Sequence, residues 1–383
     1  MKKTLKSVLY TTLFCIAVMA IITMGVLPNR FIGNDKDDII ELVENHNNTR
    51  NSPMTKNERI CIEFVRMKMS SPDGAIYTNY LDDDFNKEYA TGHEVLSESV
   101  GLMMLYCIGN EEKSFFSQQF DILVNCMMLQ NGLIMWRVDE GANITDSSAS
   151  VDDLRIARAL FTAYEIWGEK AYLDYALKIE SALFDNSTYN GNLVSHYSQN
   201  GGLAAKDIEL CYLDFKTMQL MSKYNEEWLE IMNEGLEAVE NGLISSEFPM
   251  YKKNYDIESG LYSNTQVINI LDSLSTILHL SEVGQEDKRS IEWIKRQLKD
   301  GNALFSKYSN KGERLSEIES TAVYAIVSRI AKNIGDKDLY SESLARMNQF
   351  QIKDSESKIY GSFGYEDKLE VFSYDNLQAL LSY

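Results

Sequence analysis

Carboxylates at the starts of two apolar helical segments are the residues best suited to acid–base chemistry. Glu98 follows Ser97 in the first turn of one segment, and Asp152 and Asp153 occupy the first turn of another. A carboxyl group held over a cleft and partly removed from water has a raised pKa, and it keeps a proton for a leaving group. Carboxylates in a first turn also interact favourably with the helix macrodipole, so an ordinary structural role stays open for all three.

A second acidic and aromatic stretch lies at a predicted loop-to-helix junction, over residues 209–215. Its Tyr212 and Asp214 could reach the same cleft and contact a substrate. An ordinary helix start would explain the same residues.

No metal-binding pattern and no cofactor are predicted. The histidines are scattered along the chain, and the cysteines lack the close pairs that bind zinc. We expect the cysteines beyond the N-terminal apolar run to be buried free thiols. The residues concerned are His46, His93, His196, His279, Cys15, Cys61, Cys107, Cys126 and Cys211.

Apolar residues recur at helical spacing in twelve segments after residue 57, which predicts an all-α protein. The segments lie near residues 58–69, 96–108, 113–129, 150–167, 170–184, 205–223, 225–244, 264–281, 287–298, 316–334, 337–351 and 369–382.

A glycine beside apolar and aromatic or polar residues recurs in the gaps between these helices. Most repeats are near 60 residues long and hold two helices, which is too long for a tetratricopeptide or ankyrin array. Six helix pairs predict a closed (α/α)6 barrel, in which an inner ring of helices is wrapped by an outer ring. An open α-solenoid is the alternative. The glycines are Gly74, Gly132, Gly191, Gly260, Gly301 and Gly361.

The composition is that of a globular protein with a strongly acidic surface. The 383 residues include 37 Lys and Arg against 57 Asp and Glu, so the formal charge is −20. A nucleic-acid-binding protein needs a basic face to neutralise phosphates, so this class is disfavoured.

The N-terminus predicts export and a membrane anchor. Lys2, Lys3 and Lys6 precede an uncharged apolar run at 8–27, which is about the length of a transmembrane helix. The positive-inside rule places the remainder of the chain outside the cell.

We expect an uncleaved anchor over residues 1–28, a polar linker over 29–57 and one domain over 58–383. Cleavage of the apolar run as a signal peptide would instead release the domain. Cys15 lacks the small preceding residue of a lipoprotein cleavage site, so lipidation is a minor alternative.

The segment that begins at Ser97 resembles a motif of glycoside hydrolase family 8, S-E-G-x-G-Y-G-M. Ser97, Glu98, Gly101 and Met104 match this motif, whereas Ser99, Leu102 and Met103 depart from it. Members of that family are (α/α)6 barrels that cleave β-1,4-linked polysaccharides with inversion. The resemblance implies that Glu98 is the general acid.

The segment at 149–167 is similar to the family signature A-[ST]-D-[AG]-D-x-x-[IM]-A-x-[SA]-[LIVM]-x-x-A-x-x-x-W. Val151 replaces its first aspartate and Asp152 its small residue, which indicates a divergent branch. The resemblance implies that Asp153 binds the sugar at the cleavage point, with Asp152 beside it. The matching residues are Ala149, Ser150, Asp153, Ile156, Ala157, Ala159, Leu160, Ala163 and Trp167.

Two further roles follow from the resemblance alone. Trp136 falls where the family places an aromatic sugar platform, although a buried core indole would look the same in the sequence. Tyr255 and Asp256 echo the family's Y-D-A-x-R-x-P segment, which implies that Asp256 is the catalytic base. Glu258, Asp272 and Asp214 are the alternatives for this base.

The sequence therefore predicts a membrane-anchored, monomeric, endo-acting glycosidase of β-linked polysaccharide. A polysaccharide-binding protein on an inactive hydrolase scaffold is one alternative, because Val151 and Asp152 break the signature. Another (α/α)6 enzyme, such as a polysaccharide lyase, is a second. The acidic surface disfavours the anionic uronate polymer that a lyase would need.

Overall fold

Twelve α-helices occur in the residues that the structure, a computed structural model, describes: 53–82, 90–138, 145–301 and 303–383. Each predicted helical segment contains one of them, which confirms the mostly helical class. In chain order they are α1 Lys56–Lys68, α2 Ser97–Gly109, α3 Lys113–Ile122, α4 Ser150–Trp167, α5 Lys170–Asn186, α6 Phe215–Met221, α7 Trp228–Asn241, α8 Ile270–Ser281, α9 Lys288–Arg296, α10 Thr321–Asn333, α11 Lys337–Met347 and α12 Ser373–Ser382.

The six even-numbered helices form a closed inner ring. Each of them packs against the next, from α2 through α10 to α12, and α12 packs back against α2. Outer helices cover the ring, with α3 on α2, α5 on α4, α7 on α6, α11 on α10 and α1 on α12. An open solenoid would leave α2 and α12 apart, so the arrangement is an (α/α)6 barrel.

Side-chain caps fix several helix ends. The Thr55 hydroxyl accepts a hydrogen bond from the Glu58 backbone and the Glu58 carboxylate accepts one from the Thr55 backbone, a capping box that starts α1. The Asn269 side chain accepts a hydrogen bond from the Leu271 backbone at the start of α8. Gly168, with a φ of +68°, ends α4 in the left-handed conformation.

Short antiparallel strands gather at the N-terminal ends of the inner helices, because β1, β3 and β11 run directly into α2, α4 and α8. The sheets of the described residues have the orders β1-β2, β3-β6-β7, β4-β5, β8-β9-β10 and β11-β12. The strands are β1 Val95–Leu96, β2 Arg137–Val138, β3 Ser147–Ala149, β4 Thr188–Tyr189, β5 Asn192–Leu193, β6 His196–Ser198, β7 Leu203–Ala204, β8 Asp207–Glu209, β9 Asn254–Asp256, β10 Leu261–Tyr262, β11 Val267–Asn269 and β12 Lys307–Ser309.

The register of these pairs aligns the segments that lead into the ring. Ser148 lies opposite Tyr197 and Ile208 opposite Tyr255. The hairpins therefore form a rim around the N-terminal end of the inner ring.

The recurring glycines occupy tight turns. Gly361 has a φ of +92°, and a Cβ there would lie 2.4 Å from the Ile60 carbonyl oxygen. Any side chain at this turn would clash with the backbone of α1, which explains why glycine is needed.

The core surrounds the inner helices on both sides. In α10, for example, ten of the 13 residues are buried. The described cysteines are free, and Cys61 and Cys107 are buried as predicted. Cys126 is exposed, contrary to the prediction. It lies in a π-helical turn, Leu123–Met127, whose longer hydrogen-bonding period shifts the helical pattern.

None of the helices in the described ranges is both long and apolar enough to span a membrane. The apolar run at 8–27, with Cys15, and most of the predicted linker lie outside those ranges. All of the described residues belong to one compact unit.

Candidate active site

An axial cavity of about 330 Å³ occupies the interior of the inner ring. Every inner helix, or the turn that leads into it, contributes to its wall. Glu98, Asp272 and Tyr374 come from the first turns of their helices, next to the rim of hairpins, and the other polar side chains come from deeper turns or from the segment before α6. The polar groups that matter for chemistry are Glu98, Arg155, Tyr212, Asp214, Asp272 and Tyr374.

Glu98 lies in the first turn of α2 and lines this cavity. Burial raises the pKa of its carboxyl group to about 7, and the nearby Asp152 carboxylate adds to the increase. The Arg155 guanidinium acts in the opposite direction. The effect of burial therefore outweighs the preference of a helix N-terminus for negative charge. At neutral pH a large fraction of Glu98 holds a proton that it can donate.

Asp152 lies behind Glu98 on the neighbouring helix α4. It is buried and accepts hydrogen bonds from the Ser97 hydroxyl at 2.7 Å and from Arg155 at 2.5 Å. Gly101 leaves space for Arg155, because a Cβ at this position would lie 3.1 Å from the Arg155 Cδ. The two sequence motifs, one in α2 and one in α4, thus contact each other.

Asp153 does not line the cavity, which corrects the prediction that it faces the same cleft as Glu98. It is fully buried and accepts a hydrogen bond from the Ile134 backbone at 2.8 Å. Burial raises the pKa of its carboxyl group well above the ordinary value. In α4 the residues that line the cavity are Val151, Arg155 and Arg158, so neither Asp152 nor Asp153 faces the ring interior.

Asp256 lies in strand β9 on an exposed part of the rim, and it does not line the cavity. Its carboxylate accepts two hydrogen bonds of 2.7 Å from Ser259, one from the backbone and one from the hydroxyl. These bonds lower the pKa of Asp256. Glu258 is also exposed and pairs with Lys206 at 2.6 Å. The structure does not bring either residue into the cavity with Glu98.

Asp272 and Asp214, the other two alternatives for the base, both line the cavity. Burial raises the pKa of Asp272 to about 6 despite the nearby Lys253. Its Oδ1 accepts a hydrogen bond from Asn269 at 2.9 Å. Asp214 instead caps α6, and both of its oxygens accept hydrogen bonds from Thr217, at 3.0 and 2.6 Å.

Tyr212 lies in the cavity wall close to Glu98 and Asp152, whose charges help burial to raise the pKa of its phenol. Trp136 is half-buried beside the start of α2 and is not part of the cavity wall. Its carbonyl oxygen accepts a hydrogen bond from the Ser97 backbone at 3.0 Å, and its ring contacts the Arg137 guanidinium.

Several cavity residues were not found from the sequence. Arg155 and Arg158 are polar positions within the apolar signature helix, and that contrast could have drawn attention to them. Tyr374, Gln378 and Arg329 come from the last two inner helices, where the sequence carries no recognisable motif.

Asp214, His279 and Glu282 are the described residues that could most readily hold a metal ion, since their ligand atoms lie within 4.8 Å of one another. The Arg158 guanidinium, however, lies 2.9 Å from Glu282 and 3.6 Å from Asp214. A cation already balances these carboxylates, so we interpret the cluster as an ion-pair network.

Comparison with known proteins adds to this geometry. A sequence model of glycosyl hydrolases family 8 matches residues 73–195, which include Glu98 and both aspartates of α4. A solved structure described as a novel α-amylase from Clostridium perfringens is 37% identical, with a TM-score of 0.81. The alignment covers 86% of this chain and 98% of that one. The chain is a glycoside hydrolase that is similar to family 8.

Two further proteins extend this family 8 comparison. A Bacillus subtilis (strain 168) protein named “Putative lipoprotein YdaJ” is 27% identical over 80% of this chain and 84% of its own length. The Klebsiella pneumoniae endoglucanase Cel10, a family 8 glycosyl hydrolase, is 17% identical, with a TM-score of 0.58 over 75% of this chain and 96% of that one. At that identity the endoglucanase shows the fold alone. The relationship to family 8 therefore indicates a glycosidase that acts on polysaccharide.

Proposed function

We propose that this protein is an exported, inverting glycosidase in which Glu98 is the general acid and Asp272 is the general base. The observation that carries the proposal is the position of the two carboxyl groups. Glu98 begins α2 and Asp272 begins α8, which are opposite members of the six-helix ring, and both groups line the same cavity.

The protonation states of the two groups suit these roles. The pKa of about 7 keeps a proton on Glu98 for the glycosidic oxygen, and the pKa of about 6 leaves Asp272 mostly ionised at neutral pH. Asp272 takes a proton from a water molecule that attacks the anomeric carbon as Glu98 protonates the departing oxygen. Such a mechanism needs the carboxyl groups about 6.5–9.5 Å apart and inverts the anomeric configuration.

Asp152, Asp214 and Tyr212 have supporting roles in this proposal. Asp152 holds Ser97 and Arg155 next to the acid, and Asp214 fixes the start of α6 beside the cavity. The Tyr212 phenol and Glu98 line the same cavity, so both can contact a sugar bound there. Trp136 could bind a sugar residue at the mouth of the cavity, outside its wall.

For the glycan, we propose a β-linked polysaccharide, as the family resemblance implies. A second candidate is an α-linked glucan, because the 37% identical Clostridium perfringens protein is described as an α-amylase. A pair of carboxyl groups on opposite sides of a sugar can invert either anomer, so the shape of the cavity does not distinguish α-linked from β-linked glycans.

We also propose that the enzyme is associated with the outer face of the cell membrane and acts as a monomer. The N-terminal lysines and apolar run support export, and the name of the Bacillus subtilis relative describes a lipoprotein. A helical anchor and a lipid anchor would both produce this location. Light scattering on detergent-solubilised full-length protein tests whether the protein is a monomer.

The decisive experiment is a screen of the full-length protein for reducing ends released from β- and α-linked glycans. Glu98→Gln should lower the rate by about 10²–10⁴-fold, because an amide cannot donate the proton. Glu165→Gln, an exposed change on α4, should leave the rate unchanged. Wild-type protein that binds a glycan but releases no reducing ends would instead support the inactive-scaffold alternative.

A further inference from the structure

The axial cavity extends well below the level of the proposed acid and base. Glu98 and Asp272 lie in the first turns of their helices, whereas Leu105, Arg329 and His279 line the cavity two turns further down theirs. The seven residues from Glu98 to Leu105 correspond to about 10 Å along the helix axis. The cavity is therefore a well sunk along the barrel axis, and we refer to its part below Glu98 as the axial well.

An ion pair closes the base of the axial well. Arg158 on α4 donates a hydrogen bond of 2.9 Å to Glu282, which follows the last residue of α8. These helices are not neighbours in the ring, because the short helix α6 lies between them. The pair therefore links two non-adjacent inner helices at the deep end of the cavity wall, and we refer to it as the floor.

Polar groups near this floor have unused hydrogen-bonding capacity. Arg329 donates to the Gln378 side chain at 2.7 Å, and it forms no ion pair within the part of the chain that the structure describes. The His279 Nδ1 is buried, and the carboxylate facing it, that of Glu282, lies 3.6 Å away, beyond hydrogen-bond distance. Arg329 lines the cavity, and the contact between His279 and Glu282 is long, so the hydroxyl groups of a ligand can complete the hydrogen bonding of both side chains.

The remaining wall is apolar, with Leu105, Leu278 and Ile326 alongside these polar groups. A mixture of apolar wall and convergent hydrogen-bonding groups is typical of small-molecule pockets of about 300–1,000 Å³. Sugar residues combine hydroxyl groups with apolar ring faces, and they match such a surface. The volume of about 330 Å³ suits a mono- or disaccharide unit and excludes a longer chain.

We propose that the axial well binds the terminal or branch sugar of the glycan end-on, so that cleavage occurs next to a chain end or branch. This inference rests on the proposed function, and it replaces the internal cleavage that the family resemblance implied. A linear polymer lying across the mouth would leave the axial well unoccupied and would not reach Arg329 and His279.

The first test uses oligosaccharides of the glycan that the enzyme hydrolyses. It compares chains with free ends with chains that carry a ketal at the non-reducing end and an alkyl glycoside at the reducing end. Binding in a closed well predicts a roughly tenfold or greater loss of kcat/KM for the blocked chain. It also predicts one short product from the earliest time points. Equal rates, with mixed oligosaccharides appearing early, would overturn the proposal and leave the proposed function intact.

A second test measures binding without hydrolysis, by calorimetric titration of Glu98→Gln protein with cellobiose and with maltose. Adding Ser275→Phe, which fills the axial well, or Arg329→Gln should weaken binding roughly tenfold or more. Ser181→Phe adds the same bulk to an exposed position of α5 and should leave binding unchanged. Failure of both disaccharides to bind, or equal binding by all four proteins, would contradict the axial well.

The two tests separate the two proposals. If the wild-type protein hydrolyses no glycan but a disaccharide binds and Ser275→Phe removes that binding, then the proposed function fails while the axial well stands. Circular dichroism confirms that each variant is folded, and Arg329→Gln provides a well variant that adds no volume.

Discussion

Arg155 donates a 2.5 Å hydrogen bond to Asp152, and the two side chains have opposite effects on Glu98. The Asp152 carboxylate raises the pKa of Glu98 and the Arg155 guanidinium lowers it. Both belong to α4, whereas Glu98 belongs to α2. The pKa of Glu98 therefore depends on the Asp152–Arg155 pair of the neighbouring helix as well as on the burial of Glu98 itself.

The pH dependence of kcat/KM should be bell-shaped, with limbs near the two pKa values of about 6 and 7. The rate rises through the lower limb as Asp272 loses its proton, and it falls through the upper limb as Glu98 loses its own. Asp152→Asn removes a negative charge and should move the upper limb to lower pH. Arg155→Gln should move it to higher pH. Upper limbs that stay in place would contradict this coupling.

The base is tested by a pair of matched substitutions. Asp272→Asn should reduce kcat by about 10²–10⁴-fold, because the amide cannot accept the proton of the attacking water. Asp256→Asn removes an exposed carboxylate on the rim and should leave kcat nearly unchanged. Steady-state kinetics on the glycan found in the screen measure both. The reverse result would restore Asp256 as the base.

Two glycines of α2 allow a packing test within one helix. Gly101→Ala places a Cβ 3.1 Å from Arg155, so we expect a stability loss of about 1–3 kcal/mol and an upper pH limb that moves upward as Arg155 shifts away. Gly109→Ala meets no atom within 4 Å and should stabilise the protein by up to about 1 kcal/mol. Urea denaturation measures both changes, and equal effects would rule out a special role for Gly101.

The type of membrane anchor can be determined with Cys15→Ser. If the apolar run at 8–27 is a transmembrane helix, the variant should remain in the membrane fraction in the same amount as the wild-type protein. Deletion of residues 8–27 serves as the control and should abolish export. Release of Cys15→Ser protein from membranes would instead identify a lipid attached to this cysteine.

The helices and the ring were predictable because they depend on local patterns. Apolar spacing predicts each inner and outer helix, and five of the six recurring glycines mark turns with a positive φ. The start of α6 was placed ten residues too early, at 205, because strand β8 and a 3-10 turn precede it. Apolar residues in such short elements imitate a helical period.

The partner of Glu98 was less predictable, because it depends on how the ring closes. The sequence motif favoured Asp256, yet ring closure brings Asp272 to the cavity and leaves Asp256 on the rim. The signature also does not specify which side of α4 faces the cavity, and the structure places Val151, Arg155 and Arg158 there in place of Asp152 and Asp153. The roles of these carboxylates therefore depend on how the helices pack in the ring, which a local sequence motif does not specify.

Closure of the inner ring by α12 also affects how the protein can acquire its native state. The wall residues Tyr374 and Gln378 belong to this helix, which packs against α2 across more than 260 residues of chain. Contacts of such long sequence separation form late, because the loop entropy must first be overcome. During synthesis, the partial ring would expose its apolar interior until α12 emerges, a stage at which the chain is prone to aggregate. Delivery across a membrane before folding would defer this risk to the cell surface.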